Sequence, residues 1–282
     1  ISGKLEILRP LWAPLETKKI TEQALLTTQK EYMRAALSLA KRGLGNTWPN
    51  PAVGCIIVKN DRVVGRGWTQ PGGRPHAEKE ALDRAGECAR GADAYITLEP
   101  CSHQGQTPPC AEALINAGVK QVFVAIMDPD DRVSGAGISK LEAADIDVTA
   151  GLLREEATKA NSGFLNRVKT GRPFLTLKTA TTADGKIATK SKNSKWITGD
   201  QALRYGHLLR ATNDAILVGS GTVLEDDPEL TCRLPGLSNN RRPRIVIDGR
   251  LRVPLTSKLV RSADKTPLWI VTLASHSAEQ TS

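Results

Sequence analysis

Three side chains that bind borderline or soft metals stand close together in this chain, with one carboxylate among them. They are His76, Cys101 and Cys110, and Glu78 follows the imidazole by two residues. An imidazole and two thiols form a donor set that zinc takes, and three protein ligands leave a fourth position open for water. That is the arrangement of a catalytic rather than a structural zinc site. Two thiolates and a neutral imidazole keep such a site close to neutral and its water activated. A carboxylate beside that water, and not itself a ligand, can take the proton and hand it on.

Alone, an H-x-E triplet is common by chance and a lone cysteine is usually a small buried hydrophobe. Order and position change that reading. His76-Ala77-Glu78 is followed by Pro100-Cys101 and then Pro109-Cys110, the makeup of a zinc-dependent nucleobase deaminase. The expected chemistry is hydrolytic attack on the amino-bearing carbon of an amidine-like heterocycle. Glu78 would carry protons from the water to the ring nitrogen and to the departing ammonia. Cys55 lies in an apolar run and reads as core, Cys88 and Cys232 have no motif around them, and His207 and His276 read as surface or structural residues.

These side chains need elements to hold them. The spacing predicts a helix over 77–85, so His76 and Glu78 sit at its N-terminus, and a second over 110–117 that starts at Cys110. A strand over 94–98 runs into Glu99-Pro100-Cys101. Helix N-termini favour the thiolates that zinc requires. Upstream, the pattern predicts a helix over 29–44 and a hairpin of strands 52–58 and 62–68, turning at Asn60-Asp61. Downstream it predicts a strand over 119–126, a helix over 138–144 and a strand over 147–150. Alternation of this kind argues an α/β layer structure with a largely parallel sheet after the hairpin.

Residues 1–28 carry two prolines and no clear period, and read as an extension. Residues 151–171 read as a linker with a connecting helix, ending at Gly171-Arg172-Pro173. A second α/β series follows over 172–282: strands 174–179, 215–218, 244–248 and 268–272, with a helix over 200–211. Its last strand leads into a polar tail, so this domain reads as truncated.

With 282 residues, 40% hydrophobic and 24% charged, the chain is an ordinary globular protein with room for two domains. Lys and Arg exceed Asp and Glu by 39 to 30. That excess reads either as a plain basic surface or as attraction for phosphorylated small molecules. Only 4% of residues are aromatic and none is interleaved with a basic run, which speaks against nucleic acid as partner. Five scattered cysteines are not a disulfide framework. No apolar run nears a membrane span and the N-terminal region has no signal-peptide core, so the expectation is a cytoplasmic protein without membrane contact.

Zinc base deaminases mostly place their cysteines as C-x-x-C, whereas eight residues separate Cys101 from Cys110 here. With Asn50-Pro51-Ala52-Val53-Gly54, Thr97-Leu98-Glu99-Pro100 and Thr107-Pro108-Pro109-Cys110, the chain resembles the RibD family of riboflavin biosynthesis over roughly residues 30–282. That family joins a pyrimidine deaminase of cytidine-deaminase-like three-layer fold to a dihydrofolate-reductase-like NADPH-dependent reductase. The resemblance implies deamination of 2,5-diamino-6-(ribosylamino)-4(3H)-pyrimidinone 5'-phosphate, then reduction of its ribosyl to a ribityl side chain. It further implies a homo-oligomer. Asn50 and His103 match positions that face the first substrate. In the second domain Ala180, Trp196, Thr222, Asp226 and Gly249 match positions that border NADPH. Ser194, Arg210, Leu230 and Arg233 match positions that face the phosphorylated substrate. Two departures stand out: Trp68-Thr69-Gln70 where many relatives carry a histidine, and Asp131 where relatives often carry a second proline. Rival readings are a deaminase of another base or nucleoside, a deaminase with a silent second domain, and a metal-stabilised binding module.

Overall fold

The computed structural model describes residues 22–105, 108–129, 134–191, 193–194, 197–237 and 241–276. The expected extension 1–28 therefore lies largely outside the described residues. Its last part is corrected: α1 spans Glu22–Ala40, starting well before residue 29. Glu22, Gln23, Ala24, Leu25 and Leu26 all have high helix propensity, which outweighs the lack of a clear apolar period.

β1 (Gly54–Lys59) and β2 (Arg62–Trp68) form the expected antiparallel hairpin, with a register shift between Ile57 and Val58. β3 (Asp93–Ile96) pairs antiparallel with β1, and β4 (Gln121–Val124) and β5 (Asp147–Ala150) add on in parallel. The sheet order is β2-β1-β3-β4-β5. α2 (Ala77–Ala85), α3 (Cys110–Ala117) and α4 (Ala136–Glu142) connect these strands.

Glycines show how the layers close. A Cβ on Gly54 would lie 1.9 Å from Ala36 O of α1, and one on Gly67 would lie 2.0 Å from Ala77 O of α2. Gly67 is paired with Cys55, whose side chain points to the face opposite that of Gly54. α1 and α2 thus press backbone to backbone on opposite faces of the hairpin, giving three layers. Cys55, Ile56, Ile57, Leu114, Val122 and Val124 fill the core with almost no exposure. Tyr95 stacks on Phe123 with ring centroids 4.5 Å apart.

The stretch 151–171 forms α5 (Arg154–Ala160) and α6 (Ser162–Thr170), and both dock on the first unit. Leu152, Ala157 and Leu165 belong to its core. Asn161, buried between the two helices, pairs with Ala52 through both ends of its amide: Oδ1 accepts from Ala52 N and Nδ2 donates to Ala52 O.

The second unit holds α7 (Asp200–Thr212), β6 (Ile216–Gly219), α8 (Ser220–Asp226), β7 (Arg244–Ile247), α9 (Lys258–Arg261) and β8 (Leu268–Val271). β6, β7 and β8 form a parallel sheet in that order. One expectation is corrected. Residues 174–179 are extended but join no ladder among the described residues, and Leu175 and Leu177 are 81% and 90% exposed. Alternating apolar residues make a strand only where a neighbour accepts the hydrogen bonds. Directly after β6 the chain turns into α8 at Ser220. Among the described residues no helix is long and apolar enough to cross a membrane.

Candidate metal centre

His76 is the N-cap of α2 and Cys110 opens α3, with Pro109 before it. Cys101 follows β3 in the intervening loop. The sheet thus brings two helix starts and one strand end to a single point. His76 Nδ1 lies 3.3 Å from Cys110 Sγ and 3.7 Å from Cys101 Sγ. All three donor atoms are within 4.8 Å of one another. Ligands of a tetrahedral zinc at ordinary bond lengths sit about 3.6 Å apart, so the trio fits that ion as it stands.

The protonation pattern agrees. The Cys110 thiol beside it, together with His76, pulls Cys101 down to about 4, while the same partnership and burial push Cys110 well above the usual thiol range. The two sulfurs therefore share one proton. Cys110 N–H also points at Cys101 Sγ, 3.3 Å away. A dication coordinated by both sulfurs requires that shared proton to leave.

Glu78 is 4% exposed. Burial raises its carboxyl to about 7, opposed by the neighbouring His76. A carboxyl tuned to that range can both accept and return a proton near neutral pH. It lines a cavity of about 400 Å³ together with His76, Cys101, Asn50 and His103. Both substrate-facing residues expected for this domain are thus at the cavity wall. Asn50 Nδ2 donates to Gly73 O at 2.9 Å.

Several other wall residues carry no independent signal in the sequence. Glu99 is buried, and its carboxylate accepts from the backbone N–H groups of Asp128, Gly135, Gly137 and Ile138. It therefore ties the end of β3 to the start of α4. Thr69, within the Trp68-Thr69-Gln70 stretch, is buried, and its hydroxyl accepts from Val53 N. Arg167 of α6 donates to Pro49 O and stacks over Phe164. Only Glu99 carried a hint, in its position between a strand and Pro100.

In the second unit the expected residues divide into two groups. Arg210 of α7 donates to Thr231 O, and Arg233 N donates to His207 Nδ1. α7 thereby holds the 229–233 loop, which carries the buried Leu230. His207 gains a structural role here. Thr222 lies in the first turn of α8 just after β6, Asp226 ends that helix, and Gly249 follows β7. Thr222 and Gly249 thus lie beyond the carboxyl ends of parallel strands, where open α/β sheets take ligands. Ala180 is half-buried and Ser194 exposed on the 171–194 stretch, and Trp196 lies outside the described residues.

Residues 26–126 match a family model described as the cytidine and deoxycytidylate deaminase zinc-binding region, and 173–282 match the RibD C-terminal domain. The chain is 49% identical over 246 residues to the riboflavin biosynthesis protein RibD of Escherichia coli, covering 83% of this chain and 67% of that one. It is 45% identical over 252 residues to RibD of Aquifex aeolicus, covering 89% and 70%. For RibD of Bacillus amyloliquefaciens the values are 46% over 246 residues, 87% and 66%. The chain thus spans about two thirds of these relatives. Acinetobacter baumannii RibD superposes with a TM-score of 0.81 at 43% identity, covering 91% of this chain and 72% of that one. A Thermotoga maritima diaminohydroxyphosphoribosylaminopyrimidine deaminase/5-amino-6-(5-phosphoribosylamino)uracil reductase gives 0.82 at 37% identity, covering 90% and 72%. A zinc-binding deaminase unit followed by a reductase-type unit, at these identities and coverages, places the chain in the RibD family of riboflavin biosynthesis proteins.

Proposed function

We propose that the first unit catalyses hydrolytic deamination of 2,5-diamino-6-(ribosylamino)-4(3H)-pyrimidinone 5'-phosphate. The second unit would then reduce the product's ribosyl group to ribityl with NADPH. The observation that carries the first step is the convergence of His76 Nδ1, Cys101 Sγ and Cys110 Sγ beside the buried carboxyl of Glu78.

His76, Cys101 and Cys110 would hold zinc, which when bound supplies a Lewis acid for a hydrolytic water. Glu78 takes one proton from that water and delivers it to the ring nitrogen, then moves the remaining hydroxyl proton to the amino group, which leaves as ammonia. Its raised pKa keeps it able to do both near pH 7. Asn50 and His103, on the cavity wall, orient the pyrimidine. Glu99 keeps the wall in place from beneath. In the second unit Ala180, Trp196, Thr222, Asp226 and Gly249 would border NADPH, and Ser194, Arg210, Leu230 and Arg233 the phosphorylated substrate. The excess of basic side chains supports an anionic small molecule as partner. The same reading takes the chain as a cytoplasmic homo-oligomer.

The experiment is to offer the purified protein the pyrimidinone phosphate and, separately, cytidine, and to follow ammonia. Release from the first alone is expected; release from cytidine alone would overturn the substrate assignment. One observation favours a second reading, in which only deamination occurs. Phe174, Leu175 and Leu177 stand exposed on a stretch without a strand partner among the described residues. Ammonia release without NADPH oxidation would establish that reading.

A further inference from the structure

The two units meet where a loop of the first approaches the end of α7. Gly45 has φ +69, and a Cβ there would lie 2.6 Å from Ala211 O and 3.0 Å from Asn213 O. One guanidinium nitrogen of Arg242 sits at this joint. It donates to Ala211 O on its own side and to Asn46 Oδ1 on the other, both at 2.9 Å. Asp214 adds an attractive charge on the same side.

Asn46 leads directly toward the metal centre. Its carbonyl accepts the Gly72 N–H at 2.8 Å, and its own N–H is bonded to Gly43 O. Gly72 belongs to the 70–75 loop, which is closed by Gln70 N donating to Pro75 O and delivers His76 to the start of α2. The neighbouring Gly73 O accepts from Asn50 Nδ2. On the far side, Arg167 of α6 donates to Pro49 O at 2.7 Å. The 43–51 loop is therefore gripped by one arginine from each side, and it supports both His76 and Asn50.

We propose that Arg242, a residue of the second unit, is a positioning residue for the first unit's site. It fixes the 43–51 loop, and through the Asn46–Gly72 hydrogen bond it fixes the 70–75 loop that carries His76. Its surroundings fit that role better than simple stabilisation. The Arg242 Nε is buried and has no hydrogen-bond partner, and an apolar side chain of similar volume avoids that loss. What a guanidinium adds is a set distance between Ala211 and Asn46. The second unit then does more than follow the first reaction; it shapes the site where that reaction happens.

The inference rests on the deamination reading only for its kinetic readout. The test uses the full zinc-loaded chain with Arg242→Leu, Arg242→Lys, Asn46→Ala and the Asn46→Ala/Arg242→Leu double variant. Hydrogen exchange of the 68–76 segment is measured first. Arg242→Leu and Asn46→Ala should each exchange faster there by about three- to tenfold, as for a coupled hydrogen-bonded pair, and the double variant no faster than either. KM for ammonia release should rise by a similar factor with kcat nearly unchanged, and Arg242→Lys should recover most of the loss. Exchange and KM equal to the parent, or single effects that multiply in the double variant, would overturn the proposal. If Arg242→Leu unfolds the second unit, Asn46→Ala removes the same bond from the other side and decides the matter. If the parent releases no ammonia, the deamination reading fails, while the exchange comparison still decides the role of Arg242.

Discussion

The two units of this chain put buried charge to different uses. In the first, the buried charges among the described residues are the carboxylates of Glu78, Glu99 and Asp128. Glu99 gathers four backbone N–H groups around the end of β3, and Glu78 faces the metal centre. In the second, the Asp248 carboxylate is buried as well, and the most deeply buried charge is the guanidinium of Arg244. It donates to the carbonyl oxygens of Glu229, Leu259, Ser262 and Thr266 and to the Ser262 hydroxyl. A cation there meets the negative C-terminal end of α9. The apolar cores differ as sharply. The first is continuous from α1 to α6, whereas the second is a cluster of Val223, Leu230, Val246 and Leu259. A unit with so little apolar burial depends on its polar network, and one with a large core can turn buried polar groups to chemistry.

The largest effect that could break this contrast lies at the metal centre. Replacing Cys101 or Cys110 by Ala should take bound zinc from about one per chain to none and ammonia release to background, because the remaining donors no longer enclose the ion. Elemental analysis and an ammonia assay check this. Retained zinc in either variant would remove that cysteine from the ligand set.

Next comes Arg244. Arg244→Ala leaves several buried carbonyls without donors and should cost the second unit about 3–5 kcal/mol. In denaturant, the transition of the second unit should move while zinc stays bound to the first. A paired substitution then sharpens the difference in packing. Leu114 is fully buried and Leu177 is 90% exposed. Leu114→Ala should destabilise the first unit by about 2–5 kcal/mol, and Leu177→Ala should change the second by less than about 0.5 kcal/mol. Equal losses would show that the 174–179 stretch is packed after all.

The smallest effect concerns His207. Burial lowers its pKa below the ordinary 6.5, helped by Arg210 and Arg233. The folded state therefore prefers neutral imidazole, whose Nδ1 accepts from Arg233 N. That contribution is present above pH 6.5 and is lost as the pH falls below it toward the folded pKa. Thermal unfolding of the second unit should soften slightly between pH 7 and pH 5.5, and His207→Gln should flatten the dependence.

Much of the first unit was legible in the sequence because its signals are local. α2 and α3 start and end at the expected residues, since His76 and Pro109 are extended and Gly86 and Gly118 stop the helices. β2 and β5 also match. The donor set was legible for the same reason, with each ligand next to a helix start or strand end. Glu99, Asn161, Arg167 and Arg244 were not, because their roles depend on partners far along the chain. Asn161 answers Ala52, and Arg167 answers Pro49. Strand 174–179 failed for a related reason, since its pattern says nothing about whether a neighbouring strand is present.

Glu78 is the residue on which the account turns, and one variant tests it most directly. Glu78→Gln keeps the shape of the side chain, leaves the three donors in place and removes the proton carrier. The account predicts full zinc content with ammonia release from the pyrimidinone phosphate reduced by about 10²- to 10⁴-fold. A zinc-loaded Glu78→Gln protein that deaminates at the parent rate would contradict it.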